Sequence, residues 1–218
     1  MESDLSSAYL HNQYTLPHTL TRVINRRPVE VLPKPELTTQ RLVFRLLLPN
    51  DEASFIDAIN QDRSNLRRWI PLTHEQESDE HFFNRTMTKA CVQDIEGVAW
   101  RRAAFIESGP DAGRFVGLFN LIKIERGLEW TGEANWWIDA RLGGQGLASE
   151  AIQGMIDFAL AEHPIGLGLH RVRAQICADN PGSVRIAEKC GFAKNGNRDL
   201  LDINKALVTH DEYECWAS

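Results

Sequence analysis

Residues 133–146 read Glu133-Ala134-Asn135-Trp136-Trp137-Ile138-Asp139-Ala140-Arg141-Leu142-Gly143-Gly144-Gln145-Gly146. An apolar strand runs into a glycine-rich turn and then directly into an amphipathic helix. Gly143, Gly144 and Gly146 carry no Cβ, so the backbone turns sharply and comes close to a ligand, while the first amides of the helix point outward without partners. The helix dipole adds partial positive charge at that end. A phosphate or pyrophosphate therefore binds there mainly through main-chain N–H groups.

Two familiar phosphate readings fail. A P-loop needs GxxxxGK[ST], and no Lys followed by Ser or Thr closes this turn. A dinucleotide fingerprint needs GxGxxG, but Gly144-Gln145-Gly146-Leu147-Ala148 continues into Ser149, and the next acidic residue after a strand, Asp179, lies well beyond the expected ~20 residues.

The pattern [RQ]xxGx[GA] does fit, as Arg141-Leu142-Gly143-Gly144-Gln145-Gly146. It resembles the acetyl-CoA signature of GNAT N-acetyltransferases. Leu169 to Phe192, LHRVRAQICADNPGSVRIAEKCGF, resembles the second half of that signature, most like the branch that includes Rim-type ribosomal-protein N-terminal acetyltransferases. Matching motifs run from Gln40 to Trp216, and residues 1 to about 36 match nothing. The resemblance implies a mixed α/β fold, with a central, mostly antiparallel twisted sheet flanked by helices. It also implies acetyl-CoA as co-substrate and direct attack by a primary amine in a ternary complex, with no acetyl-enzyme.

A chain of 218 residues with 43% hydrophobic residues suits one ordinary domain with a sizeable core. Lys plus Arg is 24 against 30 Asp plus Glu, a net charge of −6 that argues against nucleic acid as a general partner. Apolar runs such as Val43–Leu48 fall far short of the ~18 residues that span a bilayer, so no membrane is expected. The N-terminus shows no secretory pattern, which makes the cytoplasm the expected compartment. Cys91, Cys177, Cys190 and Cys215 form no CxxC pair and read as reduced thiols, and the seven histidines include no HExxH, so no metal is expected. Monomer and homodimer both remain open.

Pro17, Pro28, Pro33 and Pro35 limit residues 1–36 to an arm of short extended pieces or a brief helix near Ser7–Gln13, which leaves residues 37–218 as the acetyltransferase domain. Arg41–Leu46 reads as a half-buried strand, followed by a helix over Glu52–Asn60 with Asp51 as N-cap. Short helical structure is expected over Ser64–Trp69. A longer helix is expected from about Glu77 to Asp94, with Phe82, Phe83, Met87 and Ala90 inward and Gly97 closing it. Trp100–Ser108, Arg114–Glu125 and Glu129–Asp139 then form an antiparallel meander. The helix Gln145–Glu162 and the strand Arg171–Ala178 complete a βαβ crossover. Ser183–Cys190 is a last helix capped by Gly191, and Tyr213–Trp216 closes the sheet.

Acetyl transfer from a thioester needs a neutral amine, a stabilised oxyanion and a proton for the departing thiolate. The resemblance assigns the pantetheine arm and the thioester oxygen to the strand end Trp137, Ile138 and Asp139. It assigns the pyrophosphate to the turn Arg141, Leu142, Gly143, Gly144, Gln145, Gly146 and Leu147, a pantetheine hydrogen bond to Asn180, and an outer phosphate to Lys189. Ser183, in Asp179-Asn180-Pro181-Gly182-Ser183, stands where this branch places its thiolate proton donor, though Ser is also a good helix cap. Glu133 stands where relatives place the carboxylate that deprotonates the amine, and it also reads as a solvated edge carboxylate. Leu66-Arg67-Arg68-Trp69-Ile70-Pro71 resembles the family's LxxWxP segment, so Trp69 is either an acceptor contact or core. The acceptor is expected to be an α-amine of a protein or peptide N-terminus. A small amine, an antibiotic or an aminoacyl conjugate is the alternative, and a non-catalytic acyl-CoA-binding regulatory domain is the rival from another class.

Overall fold

The computed structural model describes residues 21–24, 27–30, 37–70 and 77–217. Residues 1–36 and 37–218 make separate units. In the first, Thr21–Ile24 (β1) and Arg27–Glu30 (β2) pair antiparallel. The helix expected near Ser7–Gln13 lies outside the described residues.

In the second unit, alternation of apolar and polar residues builds the first strands. Leu42–Arg45 (β3) buries Leu42 and Phe44. Trp100–Ile106 (β4), Phe115–Glu125 (β5) and Thr131–Ile138 (β6) follow as the expected antiparallel meander. The crossover then runs through a helix to Arg171–Cys177 (β7), which lies parallel to β6. The sequence reading placed a single closing strand at Tyr213–Trp216. Instead a long hairpin, Ala193–Ile203 (β8) and Ala206–Trp216 (β9), ends the chain, with β9 between β7 and β8. The order of the seven strands is β3-β4-β5-β6-β7-β9-β8. β8 escaped detection because nearly all its side chains are at least partly exposed, so it has no alternation to read. Its two-residue turn, Asn204-Lys205, has positive φ at both positions, 52° and 69°, without a glycine to mark it.

Glu52–Gln61 (α1), Arg63–Leu66 (α2) and Asp79–Glu96 (α3) precede β4. Phe82, Phe83, Met87 and Ala90 of α3 are buried as their spacing predicts, the first three in a cluster with Phe55, Phe115 and Trp137. Asp51 does not cap α1 with its side chain. Its carboxylate accepts from the Leu48 amide at 2.7 Å and from Arg45 Nη1 and Nη2 at 2.6 and 2.9 Å. Leu147–Leu160 (α4) and Pro181–Lys189 (α5) contribute Ala151, Ile152, Met155, Ile156 and Ala187 to a second cluster, together with Phe119, Val172 and Tyr213 from the sheet. The cysteines are free, and Cys177 and Cys190 are buried. No helix among the described residues is long and apolar enough to cross a membrane.

The sheet is not continuous through its middle. Pairing of β6 with β7 is limited to Thr131–Arg171, Gly132–Val172 and Glu133–Arg173. Beyond Glu133, β6 continues only with β5 as far as Ile138, and β7 continues only with β9 as far as Cys177. The two strands part, and a V-shaped opening forms between them.

Gly117, opposite Ile138 on β5, helps to set that opening. A Cβ there would lie 2.2 Å from the Trp137 carbonyl oxygen and 2.9 Å from Ile138 Cα, both backbone atoms that move only with the strand. Gly117→Ala is expected to lower the unfolding free energy by about 1–3 kcal/mol, read from urea denaturation. A midpoint equal to wild type would mean that β6 shifts at no cost.

Candidate active site

Main-chain direction fixes which groups face the opening. The Asp139 amide donates to the Val116 carbonyl at 2.8 Å. Amides alternate along a strand, so the Trp137 amide also faces β5, while those of Trp136 and Ile138 face the space that β7 has vacated. Of the expected trio, only Ile138 thus presents a free donor. Trp137 is buried, with its ring 5.9 Å from Phe55 and 5.6 Å from Phe115, and its amide is used in the sheet. Trp136 is the donor that the sequence reading missed, and counting alternate residues back from the turn is the signal that identifies it.

The turn is stiffened by an ion-pair chain. The Asp139 carboxylate, 1% exposed, accepts from the Arg141 amide at 3.0 Å, from its Nε at 2.9 Å and from its Nη2 at 2.6 Å. Arg141 Nη1 reaches Asp57 of α1 at 2.7 Å. Burial pushes the Asp139 carboxyl up, but the bonds from Arg141 outweigh it and hold the group below the ordinary carboxylate range. The hydrogen bonds to Asp139 and Asp57 push Arg141 upward.

This arrangement corrects part of the expected anion site. Both the amide and the guanidinium of Arg141 are engaged. Ala140–Leu142 forms a 3-10 turn in which Leu142 N–H donates to Asp139 O at 2.9 Å and Gly143 N–H to Ala140 O at 3.1 Å. The free amides begin at Gly144. Gly144 and Gly146 adopt φ of 76° and 77°, and the first amide bonded back into α4 is that of Glu150, to Gly146 O at 3.0 Å. The amides of Gly144, Gln145, Gly146, Leu147, Ala148 and Ser149 therefore form the cradle, at the positive end of a 14-residue helix.

Glu150 places a negative charge in the first turn beside that cradle. Arg41 neutralises it, with Nε at 2.6 Å and its amide at 2.7 Å, while Arg41 Nη1 donates to Gln145 O at 3.1 Å. Thr39 Oγ1 adds a bond at 2.7 Å. Burial raises the Glu150 carboxyl, and the bonds from Thr39 and Arg41 overcome that effect and hold it low.

At the opening lies a cleft of about 80 Å³, whose walls include Trp69, Ile70, Asn135, Gln175, Ser183 and His210. Asn180 also lines it and is the N-cap of α5, its Oδ1 accepting from Ser183 N–H at 3.1 Å. The capping alternative for Ser183 is thereby removed, and the Ser183 hydroxyl has no partner among the described residues. Trp69 lines the cleft, with Nε1 3.3 Å from Asn65 Oδ1 and Arg68 stacked 4.7 Å from its ring. Asn204 Nδ2, on the β8–β9 turn, donates to the carbonyls of Arg67 and Ile70 at 2.7 and 3.2 Å and fixes this lip of the cleft.

Glu133 stands in the last paired position before the opening. Its carboxylate meets Lys123 Nζ at 2.8 Å, and it is not part of the cleft wall. Lys189 is exposed in the last turn of α5. Sequence reasoning missed Asn135, Gln175 and His210. Asn135 and Gln175 are polar residues interleaved with apolar ones on interior strands, His210 stands in the polar run Thr209-His210-Asp211-Glu212, and no local spacing marks any of them.

Residues 41–193 match the family model described as the acetyltransferase (GNAT) domain. The chain is 36% identical over 98 residues to the probable N-acetyltransferase YjcK of Bacillus subtilis, covering 44% of this chain and 52% of that protein, so the match spans about half of YjcK. It is 26% identical over 180 residues to the ribosomal protein uS5-alanine N-acetyltransferase of Escherichia coli, covering 82% of this chain and 89% of that enzyme. Its fold matches RimJ of Mycobacterium smegmatis, solved in complex with CoA-disulfide, with a TM-score of 0.69 and 19% identity over 81% of this chain and 82% of that one.

Asp139 generates a pH-dependent prediction. A carboxyl held low in the fold adds stability that is fully present above its ordinary value and disappears as pH falls through the lowered one. Asp139→Asn is expected to cost about 1–3 kcal/mol at pH 7, with a gap to wild type that narrows as pH falls below ~4. Urea unfolding at pH 7, 5 and 3 measures it. A gap that stays constant across this range would show that the charge itself contributes nothing.

Proposed function

Because the chain belongs to the GNAT acetyltransferase family and is an acetyl-CoA-dependent N-acetyltransferase, we propose that its acceptor is the α-amine of a protein or peptide N-terminus, with a ribosomal protein as the first candidate. One observation carries this reading: the two free β6 amides, the unpartnered Ser183 hydroxyl and a polar-walled cleft meet at a single opening in the sheet. The similarity to the uS5-alanine enzyme extends over most of both chains and supports the choice of acceptor.

In this reading the pyrophosphate of acetyl-CoA lies on the amides of Gly144 to Ser149, and the pantetheine arm extends along the free edge of β6 toward Asn180. The thioester oxygen faces a β6 amide, which stabilises charge as the tetrahedral intermediate forms. Ser183 gives its proton to the CoA sulfur as the C–S bond breaks. An α-amine has a pKa near ~8, so a useful fraction is neutral around pH 7.5. Glu133, beside rather than within the cleft, contributes through water.

Incubation with acetyl-CoA and a panel of ribosomal N-terminal peptides, polyamines and aminoglycosides, followed by mass spectrometry, tests the acceptor. An acetyl group on peptide α-amines is the expected result, and acetylation confined to polyamines or antibiotics would overturn it. Ser183→Ala is expected to lower kcat by ~10²-fold or more with little change in KM for acetyl-CoA. Wild-type kcat in that variant would remove Ser183 from the chemistry.

A further inference from the structure

His210 occupies the inner wall of the cleft. It sits on β9 opposite Cys177 of β7 and Asp199 of β8, and it is 3% exposed. Its Nδ1 lies 2.9 Å from the Val208 carbonyl oxygen. A carbonyl only accepts, so Nδ1 carries the hydrogen and the neutral ring keeps its lone pair on Nε2. Among the described residues Nε2 has no partner.

Gln175, on the neighbouring strand and also in the wall, presents a second acceptor. Its Nε2 donates to Asp199 Oδ2 at 2.8 Å and to Glu212 Oε2 at 3.2 Å, which fixes the orientation of the amide. Gln175 Oε1 is buried and unpartnered. A buried acceptor without a donor is costly, so these two groups suit a ligand that supplies hydrogens. The donors at the opening, Ser183 Oγ and the β6 amides, serve the thioester. Gln175 Oε1 and His210 Nε2 match a neutral primary amine, which has two hydrogens and one lone pair.

We propose that His210 Nε2 and Gln175 Oε1 receive the two hydrogens of the acceptor α-amine, and that His210 takes the one that leaves. The inference rests on the cleft being the site of acetyl transfer to an α-amine. As the amine nitrogen bonds to the thioester carbon, the carbonyl π pair moves to oxygen and the N–H proton passes to His210 Nε2. Collapse of the intermediate breaks the C–S bond, and the sulfur keeps the electron pair and takes the Ser183 proton. The imidazolium then releases its proton to solvent and Ser183 regains one from solvent, so one proton has moved from amine to thiol.

The charged and titratable groups around the ring are consistent with this role. Asp199 faces it from β8 and Cys177 from β7, with Glu212 on β9 itself. Ser183 and Asn180 of α5 and Trp69 and Ile70, which follow Arg67 and Arg68, complete the surroundings. The two carboxylates offset the positive charge that the ring gains. Glu133 is bound by Lys123 outside the wall, so it reaches the amine only through water, whereas His210 faces it directly.

His210→Asn is the decisive variant, because its amide can still donate to Val208 O while Nε2 is removed. It is expected to bind acetyl-CoA as wild type does and to lose ~10²-fold or more in kcat with an Ala-starting peptide. In wild type, log kcat/KM should fall with a slope approaching two at acid pH, because both histidine and amine must be neutral, and the variant should show a slope of one. Gln175→Met should raise KM for the peptide, and a peptide starting with Pro, whose neutral amine has one hydrogen, should be a poor acceptor for wild type. His210→Gln provides the same readouts if the Asn variant fails to fold. An active wild type whose His210 variants keep its kcat and its slope overturns this inference alone. A wild type that acetylates no α-amine overturns the reading of the acceptor and this inference with it.

Discussion

The candidate site depends on two neighbouring strands that pair for three residues and then separate. A sheet with its hydrogen bonds unmade in the middle is expensive, since buried N–H groups are costly to leave without partners. The parting of β6 from β7 persists because each strand is held firmly on its other side, β6 by β5 up to the Asp139–Val116 bond and β7 by β9 up to Cys177. The Trp136 and Ile138 amides that remain are then a site waiting for a carbonyl. In the proposed reading the extended pantetheine arm supplies it, continuing the ladder as a short strand.

Charge placement serves the same end. Arg141 does not reach for phosphate; it binds Asp139 and Asp57, and so ties the turn to α1. Arg41 neutralises Glu150 and braces the Gln145 carbonyl, so the helix N-terminus can receive an anion without a lysine-rich pocket. The guanidinium groups shape the cradle, and the backbone amides are left to face an anion.

The meander, the crossover helix and the glycine cradle were legible in the sequence because each has a local period or a turn residue that announces it. α3 was legible for the same reason: the spacing of Phe82, Phe83, Met87 and Ala90 defines its buried face. The exposed strand β8 had no such signal. The candidate site divides along the same line: Ser183 and the turn carry a motif, whereas Gln175 and His210 meet only through strand pairing across distant parts of the chain. Arg141 and Leu142 fit the motif, but the 3-10 turn uses up their amides, a detail that depends on dihedral angles rather than on residue type. Trp137 illustrates the remaining gap, since the direction of its amide is decided by register, which residue type does not reveal.

The β8–β9 turn has a consequence for how such an enzyme changes over evolutionary time. Asn204 tethers the Arg67–Ile70 lip from a point 137 residues away in sequence, while the acyl half of the site is built from the contiguous stretch between β6 and α4. In the proposed reading, replacements at this turn would remodel the rim that meets the acceptor without touching the amides of Gly144 to Ser149. The turn and the cradle are separate pieces of the chain, so a changed rim would leave the amides between β6 and α4 in place, while His210, on β9 itself, ties the body of the hairpin to the proposed proton transfer.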